Sequence, residues 1–247
     1  MILGSCNSGT EPENTKADFD FTLISPVSDN NIPDSVKALY DEDAAILAVG
    51  EIWKAGSNDT ANVEIPQDIN QTLYNALLSI HNSNLAARDS VIEMFPIHIA
   101  FGPALRELVV SVDTSLQWVK AWMRGERLTN NTEIDRLMEL YDLNLKSYNE
   151  LSCCTFVLLL ADRQLNLKPL FQLFEKVSGV GYAHPNGYYG YNHGIKATDM
   201  NGHWMFSYSY GWGDCPSGCL SWHIWDFNVF PDGEVEYVGS SGTPIQG

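Results

Sequence analysis

Aromatic side chains that could stack on a flat ligand are concentrated near the C-terminal end of the sequence. Residues 182–230 contain 13 of the 28 Phe, Trp and Tyr side chains. Planar rings that carry or neighbour polar groups are suited to stacking on sugar rings and peptide prolines. We therefore predict a face that binds a glycan or a peptide. Its predicted residues combine such rings with polar side chains: Tyr188, Tyr189, Trp212, Asp214, Trp222, His223 and Trp225.

A period of two predicts the strands that position this face. Every second residue of 203–210 is aromatic, and residues 221–230 alternate in the same way. The turn at 231–233 is followed by a third alternating stretch at 235–237. We expect a three-stranded antiparallel meander in 191–247 that extends the sheet of the preceding unit. Aromatic side chains lie on both strand faces, and a two-layer fold buries only one of them.

Two cysteines in the first predicted turn of this meander are candidates for a disulfide. Cys215 and Cys219 are separated by a segment that Pro216 and Gly218 bend, which favours a Cys215–Cys219 bond in an oxidising compartment. The alternative is a nucleophilic Cys215 activated by His223. Nucleophilic cysteines usually start a helix, whereas a predicted strand follows here, so the disulfide is favoured.

A metal site is the alternative use of the polar residues near the C-terminus. The candidate ligands are His184, His193, His203, His223, Asp199, Asp214 and Asp226. His203 and His223 fall on neighbouring predicted strands, so with one carboxylate they could bind zinc in a metal-dependent hydrolase. The sequence has no HExxH, paired CxxC, EF-hand, GxSxG or phosphate-loop motif. We therefore predict no catalytic residue, metal or cofactor, and a protein that is not an enzyme.

The charge balance excludes nucleic acid as a partner. The 247 residues contain 14 Lys and Arg against 31 Asp and Glu, a formal charge of −17. Binding to a phosphate backbone needs clustered cations. Residues 197–247 contain six acids and neither Lys nor Arg. An acidic surface of this kind also repels anionic membranes, so we expect membrane contact only through an anchor.

Upstream of the meander, the pattern predicts an α+β protein. Apolar residues recur with helical spacing in 33–104, which predicts N-terminal helices that begin near residues 35, 66 and 84. In 105–190 we predict strands at 105–112, 144–151, 155–161 and 180–183, and helices at 115–125, 133–141 and 167–177. This β-α-β-β-α-β order is that of a ferredoxin-like unit.

The N-terminal residues Leu3-Gly4-Ser5-Cys6 resemble a bacterial lipobox, the recognition site of lipoprotein signal peptidase. The resemblance implies lipidation of Cys6 and a location in the bacterial cell envelope. Residues 7–18 are polar, and we assign 1–32 to the lipobox and a flexible tether. A signal peptide needs an apolar stretch before its cleavage site, so we expect the gene to encode one upstream of Met1.

A second resemblance lies in residues 173–186, Leu-Phe-Glu-Lys-Val-Ser-Gly-Val-Gly-Tyr-Ala-His-Pro-Asn. This stretch is similar to the last helix and strand of subtilisin propeptides of the I9 inhibitor type, and the likeness extends weakly over 105–186. It implies a ferredoxin-like fold and a role as an inhibitor or chaperone of a subtilisin-type protease. His184 replaces the usual acid, and 61 residues follow Asn186.

Overall fold

The computed structural model describes residues 16–100, 104–150, 155–186, 193–215 and 218–245. The lipobox and Cys6 lie outside these ranges, as do Tyr188 and Tyr189 of the predicted binding face. None of the helices in the described ranges has both the length and the apolar character that a membrane span requires. The chain has the α+β architecture that the sequence predicts, with N-terminal helices followed by antiparallel sheets.

Two long helices form most of the N-terminal segment: α1, Asp34–Ala55, and α2, Gln67–Asn82. α1 ends at Gly56, whose φ of 62° is the left-handed conformation that glycine adopts readily. The predicted third helix is shorter than expected. It consists of α3, Ala86–Asp89, and a π-helical turn, Ser90–Met94. The turn ends where Phe95 N donates to Ser90 O, and Pro96 follows.

The middle of the chain has the predicted ferredoxin-like element order. Its elements are β1 (Glu107–Val112), α4 (Gln117–Met123), α5 (Thr132–Leu140), β2 (Leu143–Glu150), β3 (Thr155–Ala161), α6 (Leu167–Phe174) and β4 (Val180–Pro185). The spatial order is β2-β3-β1-β4, and every neighbouring pair is antiparallel. The helices pack on one face of this sheet, around Trp122, Val157 and Phe174.

The C-terminal meander is a second, separate sheet of four strands. In order they are β5 (His193–Asp199), β6 (Trp204–Trp212), β7 (Ser221–Val229) and β8 (Val235–Gly242). The expectation that this meander extends the preceding sheet is therefore wrong, because β5 pairs with β6 and with no ferredoxin-like strand in the described ranges. The sequence did not predict β5, since only Ile195 and Ala197 supply its apolar pattern.

The N-terminal helices cover one face of the C-terminal sheet. Fully buried residues of α1 and α2, including Leu73 and Leu77, share one core with Trp204, Phe206 and Phe227. The ferredoxin-like unit has its own core, and a small cluster around Val49 and Leu105 lies between the two. The N-terminal helices and the C-terminal sheet thus form one layer with a shared core. The ferredoxin-like unit forms a second layer with a core of its own.

Residues 16–33, which precede α1, pack on the layer formed by the N-terminal helices and the C-terminal sheet. Thr22 donates from its backbone N and its Oγ1 to the Asp199 carboxylate, both at 2.7 Å. Trp204 Nε1 donates to Thr22 O at 2.6 Å. Ile24 is buried, and its carbonyl accepts from Asn75. The described part of the predicted tether is thus held by hydrogen bonds at the edge of the sheet.

Polar side chains meet inside this layer. Asp43 is 2% exposed; its Oδ1 accepts from Ile99 N at 2.8 Å, and its Oδ2 accepts from His98 Nδ1 at 2.6 Å. Tyr40 OH lies 2.9 Å from His81 Nδ1. Burial lowers the pKa of His81 and raises the pKa of Tyr40. Tyr208 is fully buried beside them, which raises the pKa of its phenol well above the ordinary value.

Candidate functional site

A cleft with three aromatic side chains lies at one end of the C-terminal sheet. Phe95, Tyr210 and Trp212 supply these rings, and the cleft has a volume of about 470 Å³. The rest of its lining comes from Ser221, Thr243, Pro244 and Ile245. We call this the aromatic cleft. Its size falls within the range of small-molecule pockets, and its lining combines rings with two hydroxyls, as ligand sites usually do.

The rings of the aromatic cleft are positioned by strand periodicity and by the turn after α3. Tyr210 and Trp212 are two residues apart on β6, so both point to the face that the helices cover. Their ring centroids are 5.9 Å apart with planes inclined by 27°. The π-helical turn places Phe95 over them, 4.4 Å from Tyr210 and 5.8 Å from Trp225. The helices end at this point, which leaves the cleft open.

Two histidines flank Tyr210 on the adjacent strands. The register pairs Tyr210 with His193 on one side and with His223 on the other. The His193 ring is stacked on Tyr210 at 5.2 Å, and its buried Nδ1 has no hydrogen-bond partner among the described residues. His223 Nδ1 lies 3.0 Å from Thr243 O. A carbonyl only accepts, so Nδ1 donates to Thr243 O and ties β7 to the segment after β8.

The far wall of the cleft depends on a glycine at the end of β8. Gly242 has a φ of 94°, and a Cβ at this position would lie 2.2 Å from Trp222 O. Thr243 N then donates to the same carbonyl at 2.6 Å. The absence of a side chain at residue 242 therefore lets the chain cross closely over β7 and brings Thr243, Pro244 and Ile245 to the cleft.

The turn between β6 and β7 is closed by the predicted disulfide. Cys215 and Cys219 are bonded, with Cα atoms 4.0 Å apart. Leu220 N donates to Trp212 O at 3.1 Å, which continues the strand pairing up to the base of the turn. A bonded Cys215 is not a free thiolate, so the disulfide leaves no cysteine nucleophile at this position.

The predicted binding residues do not all lie together. Trp212 lines the aromatic cleft, and His223 supports its Thr243 wall. Trp225 is 5% exposed and belongs to the core under Phe95. Asp214 is exposed in the disulfide turn. Trp222 pairs with Gly211, and strand alternation places it on the opposite face from Trp212.

Sequence reasoning missed most of the cleft. The strand pattern does predict that Tyr210 lies on the same face as Trp212, because the two residues are two positions apart on one strand. Phe95 comes from a segment over a hundred residues away in the sequence, and no local pattern connects it with β6. The wall residues 243–245 follow the last strand and carry no motif.

The structure contradicts the geometry of the alternative zinc site. The strand register pairs Tyr210 with His223 and Trp204 with Val229. His203, which precedes Trp204, is therefore at the opposite end of the sheet, where it contacts Phe230. Within the described ranges, no three His, Cys, Asp or Glu side chains form a group that could hold a metal ion.

The aromatic cleft gives an anionic ligand no cation to pair with among the described residues that line it. The cleft lining contains no charged side chain, and the segment that supplies most of it, residues 197–247, has six acids and no Lys or Arg. A negatively charged ligand would approach against this field. The lining can stack on planar or apolar groups and can hydrogen-bond through the hydroxyls of Ser221 and Thr243.

Comparisons of the chain with protein-family models, with curated proteins and with solved structures find no match.

Proposed function

We propose that the protein is a non-enzymatic binding protein of the bacterial cell envelope that takes a neutral glycan or peptide into the aromatic cleft. The observation that carries this proposal is the open arrangement of Phe95, Tyr210 and Trp212 at the end of the helix layer. Each ring presents a flat apolar surface, and the neighbouring hydroxyls offer hydrogen bonds. The lining has no cation for an anionic ligand, and the net charge of the chain is −17, so we take the ligand to be neutral.

The proposed envelope location rests on the lipobox-like residues and on the disulfide. Lipidation at Cys6 would anchor the protein, and the residues that follow it would separate the anchor from the folded part. A Cys215–Cys219 disulfide is consistent with an oxidising compartment outside the cytoplasm.

Substitution of Trp212 tests the binding proposal. We expect neutral envelope oligosaccharides or proline-rich peptides to change the tryptophan fluorescence saturably, because four of the seven Trp residues lie in 204–225. In Trp212→Ala, the affinity for the same ligand should fall at least about tenfold, the usual effect of losing one aromatic anchor.

Trp222→Ala is the matched control for that experiment. Trp222 lies on the opposite sheet face, so its removal should change the affinity by less than about twofold. The proposal is wrong if no ligand of either class gives a saturable signal, or if the two substitutions weaken binding equally.

A second candidate function is inhibition or chaperoning of a subtilisin-type protease. The split strand order of the middle unit supports it, together with an apolar sheet face that its helices leave uncovered. Val109, Phe156, Leu158 and Leu160 lie on this face, are partly exposed and belong to none of the described core clusters. Such a face can pack on another protein.

A protease assay distinguishes this second candidate. We expect slow-binding inhibition of a subtilisin-type protease at sub-micromolar concentration, and Leu158→Glu should abolish it by placing a charge on the uncovered face. Digestion of the intact protein without inhibition would exclude this candidate and would leave the aromatic cleft proposal untouched.

A further inference from the structure

A second cleft lies where the ferredoxin-like unit meets α1. Its volume is about 600 Å³, and it is lined by Ile46, Val49 and Trp53 of α1, by Leu105, and by Phe171 and Pro185 of the middle unit. We call this the seam cleft. It shares no residue with the aromatic cleft. Val49 and Leu105 of this lining also belong to the small core cluster between the two layers, so the cleft is an apolar gap at their junction.

Lys168 places a cation at the edge of this apolar lining. Lys168 Nζ lies 3.5 Å from the centroid of the Trp53 ring, and its side chain is exposed. None of the ion pairs among the described residues involves Lys168, although the chain has more than twice as many acids as bases. The ammonium thus contacts an aromatic face and is paired with no carboxylate among the described residues, so it can contact an anionic ligand.

Besides Lys168, the polar side chains of the lining are His184 and Asn166, and both have partners in the protein. His184 Nδ1 lies 2.9 Å from Pro185 O, and its ring is stacked on Phe171. Asn166 is 1% exposed; its Nδ2 donates to Asn62 O at 3.0 Å, and its Oδ1 faces Trp53 Nε1 at 3.5 Å. A ligand in this cleft therefore does not need to supply hydrogen bonds to these side chains. The arrangement therefore matches a molecule with an apolar body and one negative charge at its end.

We propose that the seam cleft binds a single-chain apolar carboxylate, with the alkyl chain between Trp53 and Phe171 and the carboxylate at Lys168. This inference goes beyond the proposed function, because the aromatic cleft lining has no charged side chain, whereas the seam cleft lining includes Lys168. The volume lies within the range of small-molecule sites.

Calorimetric titration of the intact protein with decanoate tests the proposal. We expect one saturable site whose affinity rises about fourfold for each two methylenes from octanoate to dodecanoate, as half-burial of the added groups predicts. Decanol, which lacks the charge, should bind about fivefold more weakly, the upper effect of an exposed ion pair. Lys168→Met should remove the preference for decanoate over decanol.

Gly50 provides a matched pair of variants for blocking the cleft. It lies on α1 at the cleft, and a Cβ there would meet nothing within 4 Å, so the fold tolerates a side chain. We expect Gly50→Phe to reduce decanoate affinity at least tenfold, whereas Gly50→Ala should keep it within twofold. Trp212→Ala, in the other cleft, should also leave decanoate binding unchanged.

The same variants identify the outcomes that would overturn the proposal. It fails if decanoate gives no saturable heat, if decanol binds as well as decanoate, or if Gly50→Phe binds like Gly50→Ala. Co-sedimentation with phosphatidylglycerol vesicles separates a free carboxylate from a lipid surface. Vesicle binding that Gly50→Phe leaves unchanged, without decanoate binding, would assign the contact to a membrane and refute the proposed ligand.

Discussion

Asp43→Ala should lower the free energy of unfolding by about 3 kcal/mol. The Asp43 carboxylate is buried, and it accepts hydrogen bonds from Ile99 N and His98 Nδ1. Alanine would leave both donors without their acceptor and would open space in a packed layer. Urea denaturation at neutral pH, followed by circular dichroism, measures the loss.

Two further substitutions show whether the loss comes from these hydrogen bonds. Asp43→Asn keeps an oxygen that can accept from Ile99 N, so it should lose about half as much. Glu42→Ala removes an exposed acid from the preceding position of the same helix and should change stability by less than about 0.5 kcal/mol. A loss below about 1 kcal/mol in Asp43→Ala would contradict the structural role of the carboxylate.

The same carboxylate has a consequence for the aromatic cleft. Asp43 fixes residues 98 and 99 to α1, and the segment that they hold begins just after Phe95 and Pro96. Among the described residues that line the cleft, Phe95 alone contributes a ring from outside the C-terminal sheet. We therefore connect the buried polar contact on α1 to the position of a ring in the proposed binding site.

At about pH 11 the protein should be about 3 kcal/mol less stable than at pH 8, because two tyrosine phenols have higher pKa values in the folded chain than in the unfolded chain. Burial raises the pKa values of Tyr40 and Tyr208 above the ordinary value. Above about pH 10 the unfolded state loses these protons while the folded state keeps them, so stability falls with rising pH. Each phenol contributes about 1.4 kcal/mol per pH unit in that range.

Tyr208→Phe distinguishes the contribution of Tyr208 to the alkaline loss of stability from that of Tyr40. The Tyr208 hydroxyl has no hydrogen-bond partner among the described residues, so its removal should raise stability at pH 8 by about 1 kcal/mol. It should also remove half of the alkaline loss. The control is Tyr182→Phe, because that side chain is 44% exposed in the ferredoxin-like unit. Equal alkaline losses in the native protein and Tyr208→Phe would refute the assignment.

Local patterns in the sequence were sufficient for most individual elements. Alternation in 203–210 and 221–230 located β6 and β7, and the order of elements in 105–190 predicted the split strand arrangement. The cysteine spacing predicted the disulfide. These features depend on residues that are close in the chain, where side-chain periodicity and turn chemistry act directly. β5 was missed because its alternation includes only two apolar residues.

Local patterns did not predict which residues lie together in the candidate site. The sequence predicts one binding face that includes Trp212 and Trp222, but the strand register places these two rings on opposite faces of the sheet. The predicted face also includes Trp225, which is buried in the core with residues of α1 and α2 and lies beside Phe95. Which side of a strand is buried depends on what packs on it, and here that layer comes from the other end of the chain.

The sequence by itself determined the α+β class, the acidic charge, the order of the helices and strands in 105–185, and the pairing of Cys215 with Cys219, because each follows from composition or from short-range spacing. Only the tertiary structure decided that the N-terminal helices cover the C-terminal sheet, that the meander is a separate sheet, and that Phe95 meets Tyr210 and Trp212. These contacts join residues far apart in the chain, and they form because burying apolar faces favours whichever distant partners fit together.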